Sequence, residues 1–152
     1  MTGHGNQGHK RIWPIALAVA LAAGPIGAPA AAQGITVYET PTCGCCVGWD
    51  RHLRSNGFNV TASVMSDVSA IKDKFRIPDS LRSCHTAVAG GYVIEGHVPA
   101  DTIKRLLRER PPGAGVAAPG MPKSAPGMDM PGEPYRVMLF SVLGISSVYE
   151  QR

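Results

Sequence analysis

The sequence predicts a single α/β domain in which strands and helices alternate along one sheet. Two strand-like segments, residues 35–39 and 58–64, flank a helical pattern, which is the arrangement of a βαβ unit. Two further strand-like segments meet around Gly90-Gly91 and predict a hairpin. Three of the four cysteines fall within four residues, where the first strand gives way to the helix. This crowding indicates that the domain carries thiol chemistry.

Residues 1–32 are typical of a secretory signal peptide. Lys10 and Arg11 precede an apolar stretch, and the small residues that follow it suit cleavage after Ala32 or, as the alternative, after Ala30. An uncleaved N-terminal anchor is the other interpretation, although the apolar stretch is short for a membrane span.

The expected mature chain, residues 33–152, is long enough for one modest core. Removing the signal peptide takes away two basic residues and no acidic one, so the net charge falls from +4 to +2. So small a positive charge does not provide the basic surface that nucleic-acid binding needs, and no nucleic-acid partner is expected. Export to an oxidising compartment makes two disulfides the default interpretation of four cysteines, so their spacing has to decide.

The first βαβ unit has recognisable boundaries. Residues 35–39 are rich in β-branched and aromatic side chains, and Pro41 stops this strand. Thr42 is the expected N-cap, so the cysteines occupy the first helical turn. The helix is expected to run to Asn56, because Gly57 is a favourable residue just beyond a helix end.

The remaining elements complete a thioredoxin-like order. Residues 58–64 predict a second strand parallel to the first, and residues 68–75 predict a short helix. The hairpin strands are predicted at residues 84–89 and 92–95, and a helix at residues 100–110. The order βαβ, α, ββ, α, with clustered cysteines at its first strand-to-helix junction, matches a thioredoxin-like sheet sandwich.

Residues 111–134 differ in composition from the rest of the chain. They contain seven prolines and five glycines in 24 residues, which predicts an extended loop without helix or strand. Residues 135–140 and 145–149 then predict a C-terminal hairpin added to the sheet.

One disulfide cannot pair all three neighbouring cysteines, so one thiol is always left over. In a helix Cys43 and Cys46 are three positions apart, close enough to share a metal or a disulfide, whereas Cys45 is turned about 100° away from Cys46. A bridge between Cys45 and Cys46 would demand unusual backbone geometry. The positive end of the helix lowers thiol pKa values, which favours thiolates here.

Cys84 is expected to join them. The third strand runs antiparallel to the first in this topology, so its start lies at the sheet edge where the helix begins. Four thiolates around one opening suit soft ions such as Cu(I) or zinc, with cadmium also open, and bridging sulfurs would hold more than one Cu(I). The competing interpretation is a structural pair of disulfides, in which Cys84 is bonded to one of Cys43, Cys45 and Cys46.

Histidines and methionines are secondary candidates. Strand alternation is expected to send His85 to the face opposite Cys84, which makes it the weaker candidate ligand. His97 has two interpretations: a side chain that gives the site a hydrogen bond or serves as an occasional ligand, and a helix-capping or solvated side chain. The second is favoured. The loop methionines offer thioethers for Cu(I), although methionine without a metal role is favoured. They are Met121, Met128 and Met130.

Several motifs together resemble the CopG-like family of exported metal-binding proteins associated with copper resistance. They are Thr-Cys-Gly-Cys-Cys, Ser-Cys-His-Thr-Ala-Val, Gly-Gly-Tyr-Val-Ile-Glu-Gly-His-Val-Pro-Ala and the later Pro-Gly-Met repeats. The resemblance implies a thioredoxin-like fold, copper held by the four cysteines, and a role in handling periplasmic copper. Interconversion of Cu(I) and Cu(II) is a further implication. Residue by residue, the resemblance assigns the copper-binding role to Cys43, Cys45, Cys46 and Cys84.

We therefore expect a periplasmic copper-binding protein that works with copper ions and with other periplasmic copper-handling proteins. The alternative is a thiol–disulfide oxidoreductase acting through Cys43 and Cys46. Against it stand the third cysteine and Thr42, which occupies the position of the usual tryptophan. A disulfide-stapled interaction domain is the third option.

Overall fold

The structure, a computed structural model, describes residues 1–5, 32–128 and 130–152. The chain divides into two units, Met1–Ala30 and Ala31–Arg152, and every helix and strand described below belongs to the second. Apart from its first five residues and Ala32, the predicted signal peptide lies outside the described residues. None of the helices in the described ranges has both the length and the apolar character that crossing a membrane requires.

Seven strands and three helices follow one another in the part of the chain that the structure describes. The strands are β1 (Gln33–Glu39), β2 (Phe58–Val64), β3 (Thr86–Ala89), β4 (Tyr92–Glu95), β5 (Gly115–Ala117), β6 (Arg136–Phe140) and β7 (Ser146–Gln151). The helices are α1 (Gly44–Ser55), α2 (Ser69–Lys74) and α3 (Ala100–Glu109), and a single 3-10 turn spans Asp79–Leu81.

The seven strands form one mixed sheet in the order β2-β1-β3-β4-β5-β6-β7. Strands β1 and β2 are parallel, as expected for a βαβ unit, and β3 lies antiparallel to β1 with Thr86 opposite Tyr38. Strand β4 returns beside β3 through the Gly90-Gly91 turn. The end of β1, the start of β3 and the end of β4 therefore meet at one edge of the sheet.

The Pro/Gly-rich segment contains a strand that the sequence did not predict. Strand β5 pairs in parallel with β4 and links it to the hairpin formed by β6 and β7. Gly115 permits this pairing, because a Cβ at that position would overlap the Val93 carbonyl. The prediction of a loop without strands was wrong here. The side of β4 that faces away from β3 has backbone N–H and C=O groups that need hydrogen-bond partners, and the proline-free triplet Gly115–Ala117 provides them.

The boundaries of α1 differ slightly from those expected. Its N-cap is Cys43 rather than Thr42, because Pro41 and Thr42 form a turn in which the Cys43 N–H donates to the Thr40 carbonyl at 3.1 Å. The C-terminal end agrees with expectation, since Gly57 has a φ of +85°.

Two apolar clusters cover the two faces of the sheet. The larger packs side chains such as Val37 and Ile94 against Leu53 of α1 and Ile103 of α3. The smaller cluster includes Ile77, Leu81, Val93 and Phe140. The neighbours Val93 and Ile94 belong to different clusters, as alternation along a strand requires.

Candidate metal centre

The four cysteines converge at the sheet edge where β1 ends and β3 begins. Cys43 caps α1, Cys45 and Cys46 lie in its first turn, and Cys84 lies in a bend just before β3. The Cys43 and Cys45 sulfurs are 3.7 Å apart, and the Cys46 and Cys84 sulfurs are 3.8 Å apart. All four sulfur atoms lie within 4.8 Å of one another. The convergence expected from strand direction is therefore present.

Two of these cysteines are oxidised. Cys43 and Cys46 form a disulfide with a Cα–Cα distance of 5.3 Å, whereas Cys45 and Cys84 are free thiols. The pairing joins the two positions that helical spacing brings together. It differs from the alternative in which Cys84 forms a structural bridge.

His85 lies on the same side as Cys84, so the expectation that it points away was wrong. Its Nδ1 is 3.4 Å from the Cys84 sulfur. Alternation holds only within a paired strand, and β3 begins one residue later, at Thr86, after the chain bends at Cys84. The His85 Nε2 is buried and has no hydrogen-bond partner among the described residues.

His97 completes the group from the bend that follows β4. Its Nε2 is 3.2 Å from the Cys84 sulfur, and its Nδ1 is 2.7 Å from the Pro126 carbonyl oxygen. A carbonyl only accepts, so Nδ1 carries the proton and donates to it, and the lone pair on Nε2 faces the sulfur. This is how a carbonyl orients a histidine that ligates a metal. The favoured interpretation of His97 as a capping or solvated residue was wrong, since the side chain is fully buried beside the cysteines.

Burial controls the protonation of this side of the centre. It raises the pKa of the Cys84 thiol to about 12, and the neighbouring Cys45 adds to the rise. Burial also lowers the pKa of His85 well below its usual value, with smaller contributions from His97 and Lys72. At neutral pH the histidine is therefore uncharged, and a metal ion must displace the Cys84 proton.

Trp49 forms the wall behind the histidines. Its indole N–H donates to the Val98 carbonyl at 2.8 Å, and its ring lies 4.3 Å from the His85 ring. The side chain is completely buried. The sequence gave no sign that Trp49 would fix the segment after β4.

The Pro/Gly-rich loop packs directly on α1 beside the cysteines. A Cβ on Gly48 would lie 2.9 Å from the Gly127 carbonyl oxygen, and a Cβ on Gly127 would lie 2.9 Å from the Cys45 carbonyl oxygen. These glycines let the loop bring the Pro126 carbonyl to His97. Met121 and Met130 are largely exposed, and Met128 follows the contact at Gly127.

The donor atoms form two overlapping groups of four. The first contains the four cysteine sulfurs, and the second contains Cys46 and Cys84 with His85 and His97. Within each group the ligand atoms lie within 4.8 Å of one another. Thiolates and imidazoles together suit soft and borderline ions such as Cu(I) and zinc. The residues present therefore fit a soft metal.

Comparisons with known proteins identify relatives. Residues 81–128 match a family described as "Protein of unknown function, DUF411", and no curated protein sequence matches the chain. Among solved structures, "Copper resistance protein copG, Form 1" is 44% identical with a TM-score of 0.74 and is aligned over 78% of this chain and 96% of its own. Form 2 is 43% identical with a TM-score of 0.75, over 79% and 98%. The chain belongs to the CopG family of copper resistance proteins.

Proposed function

We propose that this protein binds copper as Cu(I) through the thiolates of Cys43, Cys45, Cys46 and Cys84, with the imidazoles of His85 and His97 completing the site. The observation that carries the proposal is the convergence of six soft or borderline donors from three separate segments at one sheet edge. Three come from the start of α1, two from the residues just before β3, and one from the turn after β4. Copper resistance is the role named for the similar structures, and the donor set here suits that metal.

The overlap of the two donor groups favours a small cluster over a single ion. Cys46 and Cys84 belong to both groups, and a thiolate sulfur can bridge two Cu(I) ions. Zinc is the competing metal, because it also accepts four thiolate or imidazole ligands. Cu(I) is preferred because thiolates are soft ligands and the Cys84 side of the site is buried.

Electron transfer between the cysteines and copper follows from the same atoms. Oxidation of the Cys43 and Cys46 thiols forms one S–S bond and releases two electrons and two protons. Those electrons reduce two Cu(II) ions to Cu(I), and the protons pass to solvent. The reverse reaction would oxidise two Cu(I) ions. Interconversion of Cu(I) and Cu(II) is thus part of the proposed function.

The proposed setting is the periplasm, after export by the signal peptide in residues 1–32. Cell fractionation with N-terminal sequencing tests this, with Gln33 or Ala31 as the expected first residue. Because of this location, we expect other copper-handling proteins of the periplasm as partners.

A thioredoxin-like description of the domain is supported by the order of β1, α1, β2, β3, β4 and α3 and by the sheet order β2-β1-β3-β4.

Titration of the reduced protein with Cu(I), in competition with a chromophoric Cu(I) chelator, tests copper binding. Tight binding of one or more Cu(I) ions per chain is expected, together with preference for Cu(I) over zinc in a mixed titration. The Cys84→Ser variant should bind much more weakly. Weak binding by the wild type, or equal binding by Cys84→Ser, would defeat the proposal.

A second function is favoured by one observation, the Cys43–Cys46 disulfide at the start of a helix. This is the arrangement of a thiol–disulfide oxidoreductase acting on other proteins. Insulin reduction in the presence of a thiol reductant separates the two functions. Turnover by the metal-free protein that disappears in Cys43→Ser would support the oxidoreductase, whereas no turnover would leave copper binding as the function.

A further inference from the structure

A buried ionic cluster lies behind the Cys84 side of the metal centre. Glu95, at the end of β4, is completely buried, and Lys72 of α2 is 6% exposed. The Lys72 ammonium donates to Glu95 Oε1 at 2.7 Å and to Thr86 Oγ1 at 3.1 Å. The Thr86 hydroxyl in turn donates to Glu95 Oε2 at 2.7 Å. The carboxylate therefore accepts at both oxygens.

One further contact connects this cluster to the metal centre. The backbone N–H of Ser83, the residue before Cys84, donates to Glu95 Oε1 at 2.6 Å. Thr86 is the residue after His85, so the cluster holds the chain on both sides of the Cys84-His85 pair. Glu95 is also two residues before His97.

The backbone beyond Glu95 strengthens this connection. The Gly96 N–H donates to the His85 carbonyl at 3.0 Å. Gly96 has a φ of +71°, and a Cβ there would lie 2.7 Å from the Ser83 side chain. The segment that carries Cys84 and the segment that carries His97 are thus held against each other.

Stability alone does not account for such a cluster. Burying an ion pair removes two charges from water, and apolar replacements of similar volume are often neutral or stabilising. A feature that gives so little stability can instead fix geometry, as hydrogen bonds to the supports of metal ligands do.

We propose that Glu95, held by Lys72 and Thr86, is a positioning residue for the copper site. It fixes the Cys84-His85 segment so that the Cys84 sulfur lies beside His97 and Cys46. The proposal rests on the proposed copper-binding function, because it assigns the support of that same site.

Two double variants of the full chain separate geometry from charge. K72M/E95Q removes both charges but keeps an amide oxygen that accepts the Ser83 N–H, while its amide N–H can donate to Thr86. K72M/E95M removes the acceptor as well. Cu(I) affinity of the reduced proteins is measured by chelator competition, and the ligand set by X-ray absorption at the copper edge.

K72M/E95Q is expected to keep an affinity close to that of the wild type. K72M/E95M should bind Cu(I) about 10- to 100-fold more weakly, the usual loss when a ligand's support is removed. Its copper-edge spectrum should contain less imidazole scattering. Leu106→Ala, which removes a buried side chain of α3, is the matched control: it should lower the Tm without changing affinity or spectrum.

The outcome that overturns the proposal is a folded K72M/E95M protein with wild-type affinity and spectrum, or an equal loss of affinity in Leu106→Ala. If K72M/E95M does not fold, Thr86→Val replaces it, with a smaller but measurable loss expected and an unchanged affinity contradicting the proposal. Failure of the wild type to bind Cu(I) would instead defeat the proposed function. In that case the imidazole ¹⁵N shifts of His97 in the metal-free proteins still test positioning, because they should change in K72M/E95M and stay unchanged in K72M/E95Q.

Discussion

The two sides of the metal centre are built in different ways. On the helix side, Cys43, Cys45 and Cys46 lie within four residues, and the first turn of α1 alone brings them together. On the sheet side, Cys84 and His97 are thirteen residues apart, and tertiary contacts place them 3.2 Å from each other. One side is local structure, and the other depends on the whole fold.

The difference extends to solvent exposure. Cys43 and Cys45 are partly exposed, whereas His85 and His97 are fully buried against Trp49. A substitution on the helix side should therefore change one donor. A substitution on the sheet side should disturb several, because those donors share their supports.

Replacement of Cys84 should have the largest effect. Its sulfur belongs to both donor groups, whereas the Cys45 sulfur belongs to one. We expect Cys84→Ser to weaken Cu(I) binding by more than about 100-fold, beyond the range for loss of a supporting hydrogen bond. Cys45→Ser is the matched control and should lose clearly less in the same chelator competition. Equal losses would show that the two sides contribute alike.

Replacement of His97 should have the next largest effect. We expect His97→Gln to weaken Cu(I) binding by about tenfold, or roughly 1.4 kcal/mol, because it removes the imidazole that faces Cys84. His52→Gln is the control, since His52 accepts the Ala100 N–H at the start of α3 and belongs to neither donor group. If His97→Gln binds Cu(I) with wild-type affinity, His97 is not a ligand of the site.

Substitution of Gly48 tests whether the loop connects the two sides. Ala is the better helix former by about 1 kcal/mol, yet its Cβ at Gly48 would press on the Gly127 carbonyl. We expect Gly48→Ala to lower the Tm and to weaken Cu(I) binding by displacing the Pro126 carbonyl from His97. Gly44→Ala has open space around it and should preserve both quantities. If the two variants behave alike in thermal unfolding and titration, the loop contact has no such role.

The smallest effect should come from the strand that leads into α1. Burial, and then the nearby Asp50 carboxylate, raise the pKa of Glu39 above 4.5, while Arg54 lowers it. The folded protein holds this proton more tightly than the unfolded chain does. The associated stability is therefore fully present below about pH 4.5 and is lost as the pH rises through the folded-state pKa.

Glu39→Gln should accordingly raise the Tm at pH 7 and have little effect at pH 4. Thermal unfolding across this range measures the difference between variant and wild type. Asp67→Asn is the control of opposite sign, because hydrogen bonds from Ser69 lower the Asp67 pKa and favour its charged form. A pH-independent difference for Glu39→Gln would contradict the prediction.

The sequence was most informative where contacts are local or follow from strand direction. It predicted β2 at residues 58–64, the hairpin at Gly90-Gly91 and the approach of Cys84, because each depends on periodicity or on the antiparallel third strand. The sequence-based prediction failed where backbone conformation and backbone hydrogen bonds set the direction of a side chain. The bend at Cys84 redirects His85, and the Pro126 carbonyl orients His97. Neither feature has a residue pattern of its own.

Strand β5 illustrates the same limit within the fold. A triplet such as Gly115–Ala117 is too short to carry a periodicity, and the prolines around it indicate a loop. Its conformation is set by the neighbouring edge of β4. Only a prediction that already contained that edge would have found it.

Cys46 occupies a particular place among the donors. Its sulfur belongs to both groups of four, and it is also half of the bridge to Cys43. Whenever that bridge is closed, neither set of ligands is complete. Samples handled in air and samples kept under argon should therefore differ in how much copper they retain, and the redox history of a preparation will determine its metal content as much as the concentration of the ion does.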